Sequence, residues 1–269
     1  MIGDWFLRTT SIIHRQSLIT KHQVTKRIFG GIEPELADKD FAKIWLQSIP
    51  FDGTSTWGKG ADKGFDAFLD AAENMELYDI ETDSEVYQQG IYLLDDFPKF
   101  KTAEEMFEAV YETTQKLLGE NKFLTFMGGE HSVSIGIIKA FYEHFENLTV
   151  LQIDAHADQR SEYHGTPYNH ACAVYDAGQN ANLIQVGIRS MDIAEKENMN
   201  YDKTFFAHEM HGNTDWMQQS LDLMTDNVYI TFDLDAFAPS IMPATGTPEP
   251  GGLDWYTTLN YLKEVTQHI

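Results

Sequence analysis

Three short apolar runs in this chain each end abruptly in acidic residues and histidines, and that repeated arrangement narrows the folds open to it. Phe123-Leu124-Thr125-Phe126-Met127 runs into Gly128-Gly129-Glu130-His131-Ser132. Leu148-Thr149-Val150-Leu151-Gln152-Ile153 runs into Asp154-Ala155-His156-Ala157-Asp158, and Val228-Tyr229-Ile230-Thr231-Phe232 into Asp233-Leu234-Asp235. Runs of this length rich in β-branched and aromatic residues read as buried strands. On an extended backbone, positions i, i+2 and i+4 project the same way. Asp154, His156 and Asp158 would therefore converge at one strand end, and Asp233 with Asp235 at another. Gathering carboxylates in a pocket is costly unless a proton or a metal compensates them.

Between these runs the chain alternates strand and helix patterns. Lys43-Ile44-Trp45-Leu46-Gln47-Ser48-Ile49 reads as a first strand, followed by a Gly/Thr/Ser-rich loop from Asp52 to Gly60 and a helix near 65–75. Thr102-Ala103-Glu104-Glu105 forms a capping box, and Met106, Phe107, Val110, Tyr111, Leu117 and Leu118 supply the buried face of the helix it opens. A helix from Ser132 to about Phe145 and a strand Leu183–Ile188 continue the alternation. The pattern predicts an α/β fold with a parallel sheet covered on both faces. In such sheets the ligand site lies at the carboxyl ends of the strands, where all three clusters fall.

Composition limits the function classes. With 269 residues, 42% of them hydrophobic, the chain suits one α/β domain with a sizeable core. A net charge of -23 excludes a nucleic-acid footprint and weakly favours a cationic ligand. The single cysteine, Cys172, rules out a disulfide framework and fits a reducing, cytoplasmic setting. No apolar run is long enough to span a membrane. Residues 1–29 carry Arg8, Arg15, Lys21, Lys26 and Arg27 against only Asp4. Residues 1–30 are thus expected to form a basic tail, with an organelle transit peptide as the second reading, and 31–269 a single domain.

The three clusters bring together two histidines and four aspartates, with no cysteine. Oxygen-rich sites with some imidazole suit harder divalent ions such as Mn²⁺. Four negative charges exceed what one ion needs, so two ions with bridging carboxylates are the natural arrangement. Other motifs carry less. Ser134 lacks the preceding glycine of a nucleophile elbow. In His208-Glu209-Met210-His211 the histidines are three apart rather than four, which reads as a solvated helix end.

Gly-Gly-Glu-His-Ser, Asp-Ala-His-Ala-Asp and Phe-Asp-Leu-Asp, followed by Pro243-Ala244-Thr245-Gly246-Thr247-Pro248-Glu249-Pro250-Gly251-Gly252, resemble the signatures of the ureohydrolase (arginase/agmatinase) family, from about residue 31 onward. The resemblance implies a three-layer α/β/α fold with a mainly parallel sheet, two Mn²⁺ ions per subunit and hydrolysis of a guanidino group to urea and an amine. Matched position by position, His131, Asp154, Asp158 and Asp233 would hold one ion, and Asp154, His156, Asp233 and Asp235 the other. The resemblance further implies attack on the guanidinium carbon by a metal-bridging hydroxide, with Asp158 helping a proton to the departing amine. It also implies a histidine proton shuttle in the following loop, where both His170, at the closer family spacing, and His164 stand. The expected activity is agmatine to putrescine and urea, by a homotrimer or hexamer. Arginase, guanidinobutyrase, formimidoylglutamase or a non-catalytic homologue are the alternatives; formimidoylglutamate would require a cation such as Arg160 or Arg189 near the site.

The chain departs from the family pattern in four places. Ala238-Pro239 stands for Asp-Pro, so a carboxylate supporting the ligands is expected to be lost, an effect worth roughly 10–100-fold in metal affinity or activity. Gly64-Phe65 stands for Gly-Pro, and Gln159 for a usual apolar residue. The chain also ends at Ile269, ahead of the last C-terminal strand, whose glutamate anchors the guanidinium in the family; the fold is expected to lack that strand, and Glu249 does not replace that glutamate.

Overall fold

The computed structural model describes residues 27–268. Seven strands and seven α-helices follow one another along them, alternating except where β6 follows β5 and α6 follows α5. They are β1 (Ile44–Ile49), α1 (Gly64–Ala72), β2 (Ile91–Leu93), α2 (Ala103–Leu117), β3 (Phe123–Gly128), α3 (Val133–His144), β4 (Leu148–Ile153), α4 (Tyr175–Asn180), β5 (Asn182–Ile188), β6 (Thr204–Phe206), α5 (Ala207–Met210), α6 (Asp215–Leu221), β7 (Asn227–Phe232) and α7 (Trp255–His268). Every strand pairing is parallel, as the alternation predicts. The strands hydrogen-bond in two sheets, β2-β1-β3 and β6-β5-β4-β7. The three-residue strands β2 and β6 escape the sequence reading because each is too short to show a period.

The central strands are buried on both faces, and successive side chains alternate between the two. Leu151 and Ile153 of β4 and Ile184 and Val186 of β5 pack against Trp216 and Leu221 of α6 and Tyr261 and Val265 of α7. Leu148 and Val150 face the other way, onto Ile138 of α3 and Val174 and Ala177 at α4. In the smaller sheet, Leu46 packs on Phe65 and Leu69 of α1, while Ile49 packs on Met106 and Val110 of α2. Helix α3 ties the sheets together, since the Phe141 ring lies 6.4 Å from Phe126 of β3 and 4.8 Å from Tyr229 of β7. Thr102 caps α2 by accepting from Glu105 N–H at 3.2 Å; the reciprocal half of the expected capping box is shifted by one residue, the Glu105 carboxylate accepting from Lys101 N–H at 3.0 Å.

Arg27, within the stretch expected to be a tail, pairs with Asp66 (3.1 Å) and Asp70 (2.6 Å) of α1, and the Phe29 ring lies 5.9 Å from Phe68. Residues 27–30 thus lie on the domain; the rest of that expected tail, 1–26, falls outside the described residues. Among the described residues no helix is long and apolar enough to cross a membrane.

The turn after β3 carries His131 and admits only glycine at one point. Gly129 N–H donates to Ile49 O at 3.0 Å, and Glu130 N–H to Phe51 O at 2.9 Å. A Cβ at Gly129 would lie 1.8 Å from Phe51 O. Gly129→Ala should therefore destabilise the fold by about 3 kcal/mol or more, the upper end of overpacking costs. Urea unfolding checks this; an unchanged midpoint would show that the turn can give way.

Candidate metal centre

Each cluster sits where a strand stops and its backbone turns over the sheet edge. Asp154 N–H still pairs with Val186 O (3.1 Å), and Asp233 N–H with Ile153 O (2.9 Å), so both carboxylates start from ladder positions. Asp235 follows in a short helical turn and accepts from Ala155 N–H at 3.1 Å, which joins the second and third clusters directly. Asp158 has φ +50°, in the left-handed region; such conformations in non-glycine residues concentrate where function holds them.

The six side chains converge. His131 Nδ1 lies 2.9 Å from Asp158 Oδ2, 3.0 Å from Asp154 Oδ2 and 3.8 Å from Asp233 Oδ2. His156 Nδ1 lies 3.0 Å from Asp235 Oδ2 and 3.8 Å from Asp154 Oδ1. Two groups result, His131/Asp154/Asp158 and Asp154/His156/Asp235, each with donor atoms within 4.8 Å of one another and sharing Asp154. Asp233 stands at the rim of the first group. Donor atoms of this kind, nitrogen and carboxylate oxygen without sulfur, fit harder divalent ions.

Protons occupy this cluster as the charges require. Burial and the neighbouring Asp233 charge raise the Asp154 carboxyl above its ordinary range. Burial, then Asp235, push the Asp233 carboxyl up to about 6. Burial alone would lower the imidazoles, but Asp235, together with Asp154 and Asp158, outweighs it at His156, pushed up to about 9. Asp154 and Asp158 do the same at His131, which rises well above its usual value.

Supporting contacts hold these groups in place. His131 Nε2 lies 2.9 Å from Thr231 Oγ1, two residues before Asp233 on the same face of β7. Gln152 Nε2 donates to Asp154 Oδ2 at 2.8 Å, and His156 N–H to Asp154 Oδ1 at 2.8 Å. Arg189 donates to the carbonyls of Gly187 (3.1 Å), Asp235 (2.6 Å) and Glu249 (3.0 Å). It therefore braces the Asp235 turn and the 243–252 loop instead of awaiting a carboxylate. Arg160 lies 4.4 Å from the Tyr163 ring and beside Asp192 and Glu195. At the departure Ala238, the backbone N–H donates to Leu253 O at 3.0 Å.

The two candidate shuttles are placed differently. His164 is exposed, with φ +52°, at the tip of a turn closed by Tyr163 and Thr166. His170 is half-buried, and both ring nitrogens meet threonines of the 52–60 loop, Nδ1 with Thr54 Oγ1 (3.1 Å) and Nε2 with Thr56 Oγ1 (3.0 Å). Thr54 Oγ1 also accepts from His170 N–H at 3.0 Å, and in the neutral ring one nitrogen donates to its threonine while the other accepts. Burial, first among the causes, lowers the His170 pKa and keeps that ring neutral. Composition alone does not reveal the two threonines, which read only as part of a polar loop.

These shifts fix a pH dependence for the metal-free protein. A histidine raised to about 9 stabilises fully below its unfolded value of about 6.5, and this is lost as pH rises through 9. Asp233, raised to about 6, acts in the same direction at lower pH. In chelator, the melting temperature should fall from pH 6.5 to 9.5, and fall less in His156→Gln. Equal falls in the two proteins would contradict the His156–Asp235 pairing.

Residues 42–269 match the arginase family. The N(1)-aminopropylagmatine ureohydrolase of Synechocystis sp. is 32% identical over 243 residues, spanning 84% of this chain and 78% of the relative. The agmatinase of Pyrococcus horikoshii is 29% identical over 248 residues, spanning 90% and 85%. Among solved structures, the agmatine ureohydrolase of Thermoplasma volcanium superposes with a TM-score of 0.78 at 28% identity, covering 84% of this chain and 78% of that one. The arginase of Bacillus caldovelox, at 24% identity and a TM-score of 0.70, over 84% of this chain and 87% of that one, shares the fold. The chain belongs to the arginase family, among its agmatinase-like ureohydrolases.

Proposed function

We propose that this chain hydrolyses the guanidino group of agmatine, releasing urea and putrescine, with two Mn²⁺ ions. The observation that carries the reading is the convergence of two imidazoles and four carboxylates over the carboxyl ends of β3, β4 and β7. His131, Asp154, Asp158 and Asp233 would hold one ion, and Asp154, His156, Asp233 and Asp235 the other. Bound divalent ions in such a site supply Lewis acidity and lower the pKa of water toward neutrality. The protein's strong negative charge draws a cationic substrate toward it. Asp158, 2.9 Å from His131, helps pass a proton to the departing amine. His170, neutral and held by Thr54 and Thr56, accepts and returns a proton, a role for which the exposed His164 has no such support. A cytoplasmic homotrimer or hexamer completes the proposal, on the family resemblance.

The Synechocystis relative favours a second reading, in which the substrate is N(1)-aminopropylagmatine. Urea release from agmatine, N(1)-aminopropylagmatine, arginine and guanidinobutyrate, with added Mn²⁺, separates the two. Agmatine should give the highest kcat/KM, and chelation should abolish turnover. His170→Ala should lower kcat by about 100-fold or more, the low end of general acid–base contributions, with Mn²⁺ affinity unchanged. No urea from any of the four at saturating Mn²⁺ would point to a non-catalytic homologue.

A further inference from the structure

A second set of buried polar side chains ends on the metal cluster. Gln152 of β4 and Gln185 of β5 are register partners across the parallel pair, and Gln159 follows in the loop after β4. None of the three is more than 1% exposed. Their amides join head to tail. Gln159 Nε2 donates to Gln185 Oε1 at 2.5 Å, Gln185 Nε2 to Gln152 Oε1 at 2.6 Å, and Gln152 Nε2 to Asp154 Oδ2 at 2.8 Å.

The direction of this chain is forced from the Asp154 end. Gln152 Nε2 also faces His156 O (3.1 Å), and Gln185 Nε2 also faces Ala157 O (2.9 Å). Carbonyls only accept, so each of these amides must present its nitrogen there and its oxygen to the next glutamine. Gln159 must then donate.

Packing alone does not explain a glutamine at 159. Its Oε1 is buried with no protein group as hydrogen-bond partner, so no protein contact of that oxygen accounts for the residue. Gly178 of α4 leaves room for that oxygen, since a Cβ there would lie 3.2 Å from it. What Gln159 gives is the shorter of two donors to Gln185 Oε1, Thr204 Oγ1 lying 3.4 Å away; the backbone carbonyls set which way each amide faces, and this bond holds Gln185, and through it Gln152, firmly in that place. Such chains polarise each successive bond, by roughly 10–30% each.

We propose that Gln159, acting through Gln185 and Gln152, is a positioning residue that fixes the orientation of the Asp154 carboxylate and so sets how tightly the centre holds divalent metal. The inference rests on the metal reading of the site. Asp154 belongs to both donor groups, so one orientation serves both. A carboxylate free to rotate would present its oxygens to either group only part of the time.

The test is Mn²⁺ titration by calorimetry into metal-free wild type, Gln159→Leu, Gln152→Leu and the double variant, with thermal melting of each without metal. Gln159→Leu should still fold, with Thr204 Oγ1 remaining as a donor to Gln185 Oε1, yet bind Mn²⁺ more weakly by up to about 10-fold. Gln152→Leu should lose about 10–100-fold, as expected for a group bonded directly to a ligand. In the Gln152→Leu background, Gln159→Leu should cost nothing more, because the relay is already cut. Wild-type Mn²⁺ affinity in folded Gln159→Leu would overturn the relay, as would additive effects in the double variant. Should Gln152→Leu fail to fold, Gln159→Leu decides alone. Absence of Mn²⁺ binding by wild type would overturn the metal reading itself, and the relay's role with it.

Discussion

Mutual repulsion among four aspartates, held together over one sheet edge with little water to screen them, is the constraint that shapes this molecule. Unpaired carboxylates at these separations would drive the strand ends apart. His131 and His156 offset the repulsion, each placed 2.9–3.0 Å from carboxylate oxygens of other clusters. The price is a site that must always hold positive charge, as protons or as metal. That requirement links stability to metal binding, since ions entering such a site displace protons from the same atoms.

The fold meets the requirement with backbone. Parallel pairing of β4 with β7 brings Ile153 opposite Phe232, so the 154 and 233 clusters start level. The third cluster arrives from the other sheet, through the glycine turn that presses Gly129 against Phe51. Arg189 then gathers the carbonyls of the Asp235 turn and of Glu249, a cation used as a brace for loops. Polar support from Thr231, Gln152 and the threonines around His170 comes from residues that lie in strands or loops with no motif of their own.

The legible part of this architecture was what periodicity encodes. Apolar runs followed by charge locate β3, β4 and β7, and i, i+2 spacing selects the converging side chains. The Thr102 cap is legible because it is a local contact. What sequence could not reveal depends on distant partners. Thr54 meets His170 across 116 positions and Thr231 meets His131 across 100; neither spacing leaves a local trace. Gln159 was visible as a departure from an apolar pattern, but its meaning needs Gln185 and Gln152 beside it. The division of the strands into two sheets was equally hidden, because alternation predicts parallel strands without fixing which ones pair.

The central claim is that the six side chains form one centre whose two halves share Asp154. Mn²⁺ stoichiometry by calorimetry, compared between wild type, Asp154→Asn and Asp235→Asn, tests it most directly. Two ions per chain in wild type, severe weakening of both in Asp154→Asn, and weakening chiefly of one in Asp235→Asn would bear it out. An Asp154→Asn protein that keeps either ion at wild-type affinity would contradict it.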